Sequence, residues 1–163
     1  MGRIRETDYH HGSLTAVLLN EGYNLMLLET HESRRSYRIT NNIEDYIVYA
    51  KYSSAPSSRG RNNSSATWSF SFADEEVTKI KGYRDLKENC LVSLIASYDS
   101  APGGELVMLN MSEFLKCIGD GWRIENPRIA VRKEKHRQVK VYGTGLDSKD
   151  ALIPRGSITG TVA

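Results

Sequence analysis

The clearest pattern in the chain runs from Ser36 to Tyr52. Two short runs of β-branched and aromatic residues, SYRIT and YIVYAKY, flank the polar stretch NNIED. That spacing predicts a hairpin with a longer loop. On the second run, Tyr46, Val48, Ala50 and Tyr52 share one face while Ile47, Tyr49 and Lys51 share the other. Both faces are mostly apolar, which predicts a central strand carrying one charge, Lys51. Upstream, LTAVLLNE places Leu14, Val17 and Leu18 on one helical stripe. Ser13 is the expected N-cap and Gly22 the expected stop. Residues 1–11 are polar and read as a mobile arm. YNLMLLE (23–29) reads as a buried strand, so strand, turn, strand, turn, strand forms a meander.

Residues 53–67, SSAPSSRGRNNSSAT, break the pattern and read as a flexible loop. Trp68, Phe70 and Phe72 then alternate with Ser69 and Ser71, which predicts an aromatic strand face lying against a core. A helix follows from about Asp74, its acidic first turn matching the helix dipole. CLVSLIAS (90–97) is apolar throughout, as in a strand buried on both faces. Its approach through a helix predicts parallel pairing with an earlier strand. ELVMLN (105–110) reads as the next strand, and Ser112 as the cap of a short helix EFLKCI ending at Gly119. PRIAVRKEKHRQVKVYG reads as a second hairpin, and 143–163 as an irregular tail.

These elements predict one α+β domain over residues 1–163, with a mixed central sheet of about six to eight strands and two or three helices. A mainly antiparallel barrel or sandwich is the alternative. The net charge of +2 over 163 residues gives no global signal for a polyanionic partner. Two cysteines, Cys90 and Cys117, lie in apolar runs without metal-type spacing and read as reduced core thiols, which predicts a cytoplasmic protein. The first residues lack a signal-peptide pattern, and no run of about 18 apolar residues marks a membrane span. His10 and His11 are adjacent on the expected arm and are read as non-ligands.

Local charge does change the picture. Between Trp122 and Tyr142 there are seven Lys or Arg against two Glu. Arg128, Arg132, Lys133, Lys135, Arg137 and Lys140 are candidate contacts to DNA or RNA phosphates, joined by Arg59 and Arg61 from the 53–67 loop. A basic two-stranded ribbon can lie along a phosphate backbone or enter a groove. The alternative is an exposed hairpin kept soluble by edge lysines.

Helix, three meandering strands, a further aromatic strand, helix, apolar strand is an order that resembles the αβββαβ core of the PD-(D/E)xK nuclease-like superfamily. The resemblance covers residues 13–97 in element order, plus Lys51 on the third strand. It implies a Mg²⁺-dependent endodeoxyribonuclease in which acids hold the metal and the lysine assists water. Carried over by position, Lys51, Asp45 and Glu29 are the catalytic candidates, and Glu21, Glu29, Glu32 and Asp45 the metal candidates. The superfamily's strand acid, two residues before the lysine, is replaced here by Tyr49. Asp45 stands six residues from Lys51, about 20 Å along an extended strand. A site-specific nuclease of this size implies a homo-oligomer, because a symmetric dimer doubles the footprint. The second functional expectation is a non-enzymatic protein-binding or regulatory module, with Lys51 structural and the basic hairpin docking an acidic partner.

Overall fold

A computed structural model describes residues 2–31, 33–98, 103–119 and 125–155. Among these residues three helices accompany a mixed five-stranded sheet and a separate four-stranded antiparallel sheet, so the α+β class holds while the single large sheet does not.

Helix α1 spans Glu6–Asn20. It therefore begins within the stretch expected to be a mobile arm. The Asp8 carboxylate accepts the Arg5 backbone N–H at 3.0 Å and so holds one of the donors that a helix start leaves free. The inward stripe continues upstream from Leu18 and Leu14 through His11 to Thr7, whose hydroxyl oxygen is buried. Both histidines pack as aromatic bodies. His10 stacks on Tyr52 at 4.5 Å between ring centroids, and His11 meets the same ring edge-on at 5.6 Å. Gly22, at φ +88, takes the left-handed position just past the helix end, as its sequence position predicts.

Strands β1 (Asn24–Thr30), β2 (Arg34–Thr40) and β3 (Asp45–Ser53) form the expected antiparallel meander. Between β2 and β3, Asn41 Oδ1 accepts the Ile43 and Glu44 backbone N–H groups, fixing the turn by side-chain mimicry of a backbone acceptor. Strand β1 is not buried as expected: it is the sheet edge, and it exposes Met26, Leu27 and Leu28.

The chain then leaves this sheet. Strands β4 (Ser58–Arg59) and β5 (Ser65–Ser71) pair with each other, with a 3₁₀ turn at Arg61–Asn63 between them. The 53–67 stretch is thus folded: the Ser57 and Gly60 N–H groups donate to Thr67 and Ser65 carbonyls. Helix α2 (Asp74–Asp85) carries the chain back to β6 (Cys90–Ser97), which lies parallel to β3 as the crossover predicts. Strand β7 (Gly104–Asn110) completes the order β1-β2-β3-β6-β7. Helix α3 (Met111–Ile118) is capped by Asn110 rather than Ser112: Asn110 Oδ1 accepts the Glu113 N–H at 2.8 Å and Glu113 Oε1 accepts the Asn110 N–H at 3.1 Å. Strands β8 (Arg128–Glu134) and β9 (Lys140–Gly143) form the second hairpin, and β8 takes β5 as its other neighbour. In the tail, Leu152 bridges to Val141 and a 3₁₀ turn covers Ser148–Asp150; 156–163 lie outside the described residues.

The alternation on β3 sorts the interior into two clusters. Val48 and Ala50, with Tyr37, Ile39, Leu91 and Ile95, lie under Leu14 and Leu18 of α1. Tyr49, with Val92, Leu94, Val107 and Leu109, faces Trp68, Phe70, Ile129, Val131 and Val141 of the second sheet. The aromatic face of β5 is therefore core, as its period of two predicts. Cys90 and Cys117 are buried free thiols, both pushed up to about 12 by burial. No described helix is long and apolar enough to cross a membrane.

Candidate functional site

Two places in the fold hold the residues to which the sequence assigns chemistry. The first surrounds Lys51. Register places Arg34 of β2 directly opposite Lys51 of β3, so two cations point from adjacent strands to the same side of the sheet. Like charges in that relation repel. Glu76, in the first turn of α2, lies between them: its Oε1 is 3.1 Å from an Arg34 guanidinium nitrogen and its Oε2 is 3.1 Å from Lys51 Nζ. The Tyr49 hydroxyl donates to Oε1 at 2.7 Å, and the Ala73 backbone N–H donates to Oε2 at 2.8 Å. Lys51 also donates to the Ser71 carbonyl and lies over the Phe72 ring, 4.7 Å from its centroid. Glu76 is 4% and Lys51 8% exposed.

Electrostatics follow from that burial. Burial alone would raise the Glu76 carboxyl, but the Tyr49 hydroxyl, the Ala73 N–H and Lys51 together hold it below the usual carboxylate range. Burial moves Lys51 below the usual lysine value, against the opposing pull of Glu76 and with added repulsion from Arg34. Tyr49 is raised by burial and by the carboxylate its hydroxyl bonds. The network is a latch: it fixes the start of α2, the end of β5 and the centre of the five-stranded sheet to one another.

The acids expected to share a metal with Lys51 are elsewhere. Asp45 stands at the opposite end of β3 and pairs with Arg38 at 2.9 Å. Glu29 lies on β1, two strands from β3, and is ion-paired to Lys79 of α2. Glu21 is an exposed C-cap of α1. Glu32 lies outside the described residues. Among the described residues no three His, Cys, Asp or Glu side chains gather as a metal-ligand group. Among the described residues Lys51 has a single carboxylate beside it, and four donors already occupy that carboxylate. Glu21, Glu29 and Asp45 do not fit a shared divalent cation.

The second place is the outer face of the four-stranded sheet. Along β5, Ala66, Trp68 and Phe70 point inward, leaving Ser65, Thr67, Ser69 and Ser71 on the outer side. Along β8, Ile129 and Val131 point inward, leaving Arg128, Ala130, Arg132 and Glu134 outward. Register aligns Thr67, Arg132 and Lys140 in one row across three strands, and Ser69, Ala130 and Tyr142 in the next. Arg128, opposite Ser71, lies one row further. Arg128, Arg132 and Lys140 are exposed.

Protein-family models, curated proteins and solved structures offer no match to this chain.

The fold nonetheless unites the two basic segments, which are separated by more than sixty residues in sequence. The Lys135 N–H donates to the Ser64 carbonyl at 2.9 Å, so the turn holding Lys135 and Arg137 adjoins the turn holding Arg61. Arg59 and Lys133 belong to the other side of the sheet. Their register partner is the inward Ala66, and the Arg59 guanidinium lies 5.4 Å from the Tyr98 ring centroid. Glu134 offsets part of the charge at the sheet's end, 3.3 Å from both Arg132 and Arg137. Arg123 lies outside the described residues. Sequence reasoning missed Glu76, because an acid in the first turn of a helix is already explained by the dipole. Its burial beside exposed Asp74 and Glu75 is what sets it apart. Tyr142 stands in the outward period of β9, two residues from Lys140 and opposite Ala130.

Proposed function

We propose that this protein binds nucleic acid through the outer face of its four-stranded sheet. The observation that carries the reading is the register row Thr67–Arg132–Lys140 with Arg128 two positions along β8 from Ala130. It forms an exposed cationic surface on regular strands, with hydroxyls alongside and basic turns at one end. Cations on paired strands release counterions from a polyanion without the backbone that carries them first having to be ordered. Partners are DNA or RNA, and affinity falls steeply with salt.

The test is fluorescence anisotropy with labelled oligonucleotides in EDTA at two salt concentrations. Arg132→Ala lowers the slope of log K against log salt by roughly 0.7 to 0.9, one phosphate's worth. The same oligonucleotides incubated with Mg²⁺ report whether any strand is cut, and Lys51→Ala then decides whether cutting depends on the latch lysine. No binding at low salt sinks the proposal and favours docking of an acidic protein partner on the same face.

A further inference from the structure

We propose that the ligand of this face is a single strand, with an unstacked base resting on Tyr142 and flanking phosphates held by Arg132 and Lys140 on one side and Arg128 on the other. The inference rests on the nucleic-acid reading above and specifies which form of nucleic acid the face accepts.

Three observations lead to it. First, Tyr142 sits within the cations rather than beside them. It is two residues from Lys140 on β9 and directly opposite Ala130, which has Arg128 and Arg132 two positions away on either side. Those two-residue steps are about 7 Å each. A cation therefore stands roughly one nucleotide step from the ring in either direction along the sheet. Second, the flank of the ring is small. Its row across the sheet consists of Ala130 and then the exposed Ser69. A planar base can settle against the half-buried tyrosine over that methyl and hydroxyl without displacing a bulky side chain. Stacking of this kind is tolerant of base identity because every base has a π face.

Third, the hairpin is not free to enter a duplex groove. A two-stranded ribbon fits the major groove only when its edges are open. Here β8 is bonded along its length to β5, β9 is bridged at Val141 by Leu152, and the connecting turn is tied to Ser64 through Lys135. The cations lie on a broad sheet face. In a duplex the base faces are hidden by their own stacking, so Tyr142 would have no partner. In a single strand the base is available and the phosphates follow at the spacing of the cations.

The experiment compares an oligo-dT of about ten nucleotides with a duplex of mixed sequence, in EDTA at two salt concentrations, using the full chain. The single strand is expected to bind at least tenfold more tightly than the duplex. Tyr142→Leu is expected to lose about tenfold on the single strand while leaving its salt slope unchanged, and Tyr142→Phe to bind like wild type. Without any substitution, the Tyr142 ring protons are expected to shift upfield on addition of oligo-dT, which keeps the test valid if Tyr142→Leu fails to fold. Equal or tighter duplex binding, with Tyr142 signals unmoved by oligo-dT, overturns the single-strand inference but leaves the nucleic-acid reading standing. Absence of salt-dependent binding to either probe overturns both.

Discussion

Removing one charge from Glu76 is the perturbation that reads the latch most directly. In Glu76→Gln the shape is nearly kept, but Arg34 and Lys51 remain opposite each other on adjacent strands, Arg34 retaining only exposed Glu75 and Lys51 losing the carboxylate that paired it. The amide nitrogen also meets a donor where the carboxylate accepted two on each oxygen. Breaking a buried ion pair by deleting one partner costs about 3–5 kcal/mol, because the remaining charge is left buried and unpaired. Lys51→Met is the contrasting change. It removes one donor of four and leaves Glu76 with Arg34, Tyr49 and Ala73, so the cost is about 1.5–3 kcal/mol, as for one hydrogen bond to a charged group. Urea unfolding followed by Trp68 fluorescence checks both, since that ring is fully buried. With a slope of about 2 kcal/mol per molar urea, Glu76→Gln lowers the midpoint by roughly 2 M and Lys51→Met by about half as much. A Glu76→Gln cost under 1 kcal/mol, or a larger cost for Lys51→Met than for Glu76→Gln, refutes the latch. So does full additivity in the double variant, because coupled partners must show an interaction energy.

Three further outcomes follow from the same geometry. His11 is buried, pushed down to about 4 chiefly by burial and also by Arg35, against an ordinary value of 6.5. The unfolded chain therefore binds the proton first, so stability falls as pH drops from about 6.5 towards 4, by up to roughly 3 kcal/mol, and His11→Phe flattens that part of a pH–stability profile measured by urea unfolding. Glu76 has the same sign at lower pH: its carboxyl is held down in the fold, so its contribution is present above the ordinary carboxylate value and is lost as pH falls through the folded value, a step that Glu76→Gln abolishes. Gly143→Ala drives a methyl into the Arg128 and Cys117 carbonyls, wedging β9 from β8 and α3, and lowers thermal stability by about 1–3 kcal/mol in a calorimetric scan.

The five-stranded sheet was largely legible in the sequence, because its strands stand out as short apolar or alternating runs between polar turns, although the apolar run of β1 did not reveal that it is an exposed edge. The alternation in YIVYAKY marks β3 as a central strand with two apolar faces, each of which meets its own cluster, and the apolar length of CLVSLIAS matches its parallel place beside β3. The second sheet was harder to read. Trp68, Phe70 and Phe72 signalled a core, but nothing local says that β5 finds its partner in β8 at the far end of the chain. Long-range pairing is decided by which edges remain open, which no window of sequence contains. The N-terminal half of α1 was missed because histidine was counted as polar. His10 and His11 are held by ring contacts with Tyr52, and His10 Nδ1 lies 3.0 Å from Ser97 Oγ. The candidate metal acids rest on element order alone, and two of them are taken by other partners, Asp45 by Arg38 and Glu29 by Lys79, while Glu21 is an exposed helix cap. For the basic residues, sequence parity was not carried far enough: it puts Arg128, Arg132 and Lys140 on one side of the second sheet and Arg59 and Lys133 on the other.

The measurement that tests the account most directly is a charge-matched comparison of oligonucleotide binding. One variant reverses Arg128, Arg132 and Lys140 to Glu; the other reverses Lys87, Lys116 and Lys149, which are exposed on other parts of the molecule. Both change the net charge equally, so only position distinguishes them. Loss of salt-dependent binding in the first variant, with most of it retained in the second, is the result predicted for a face built to hold phosphates. Equal losses in the two would mean that the protein responds to its overall charge, and the outer face of the four-stranded sheet would have no special part in binding.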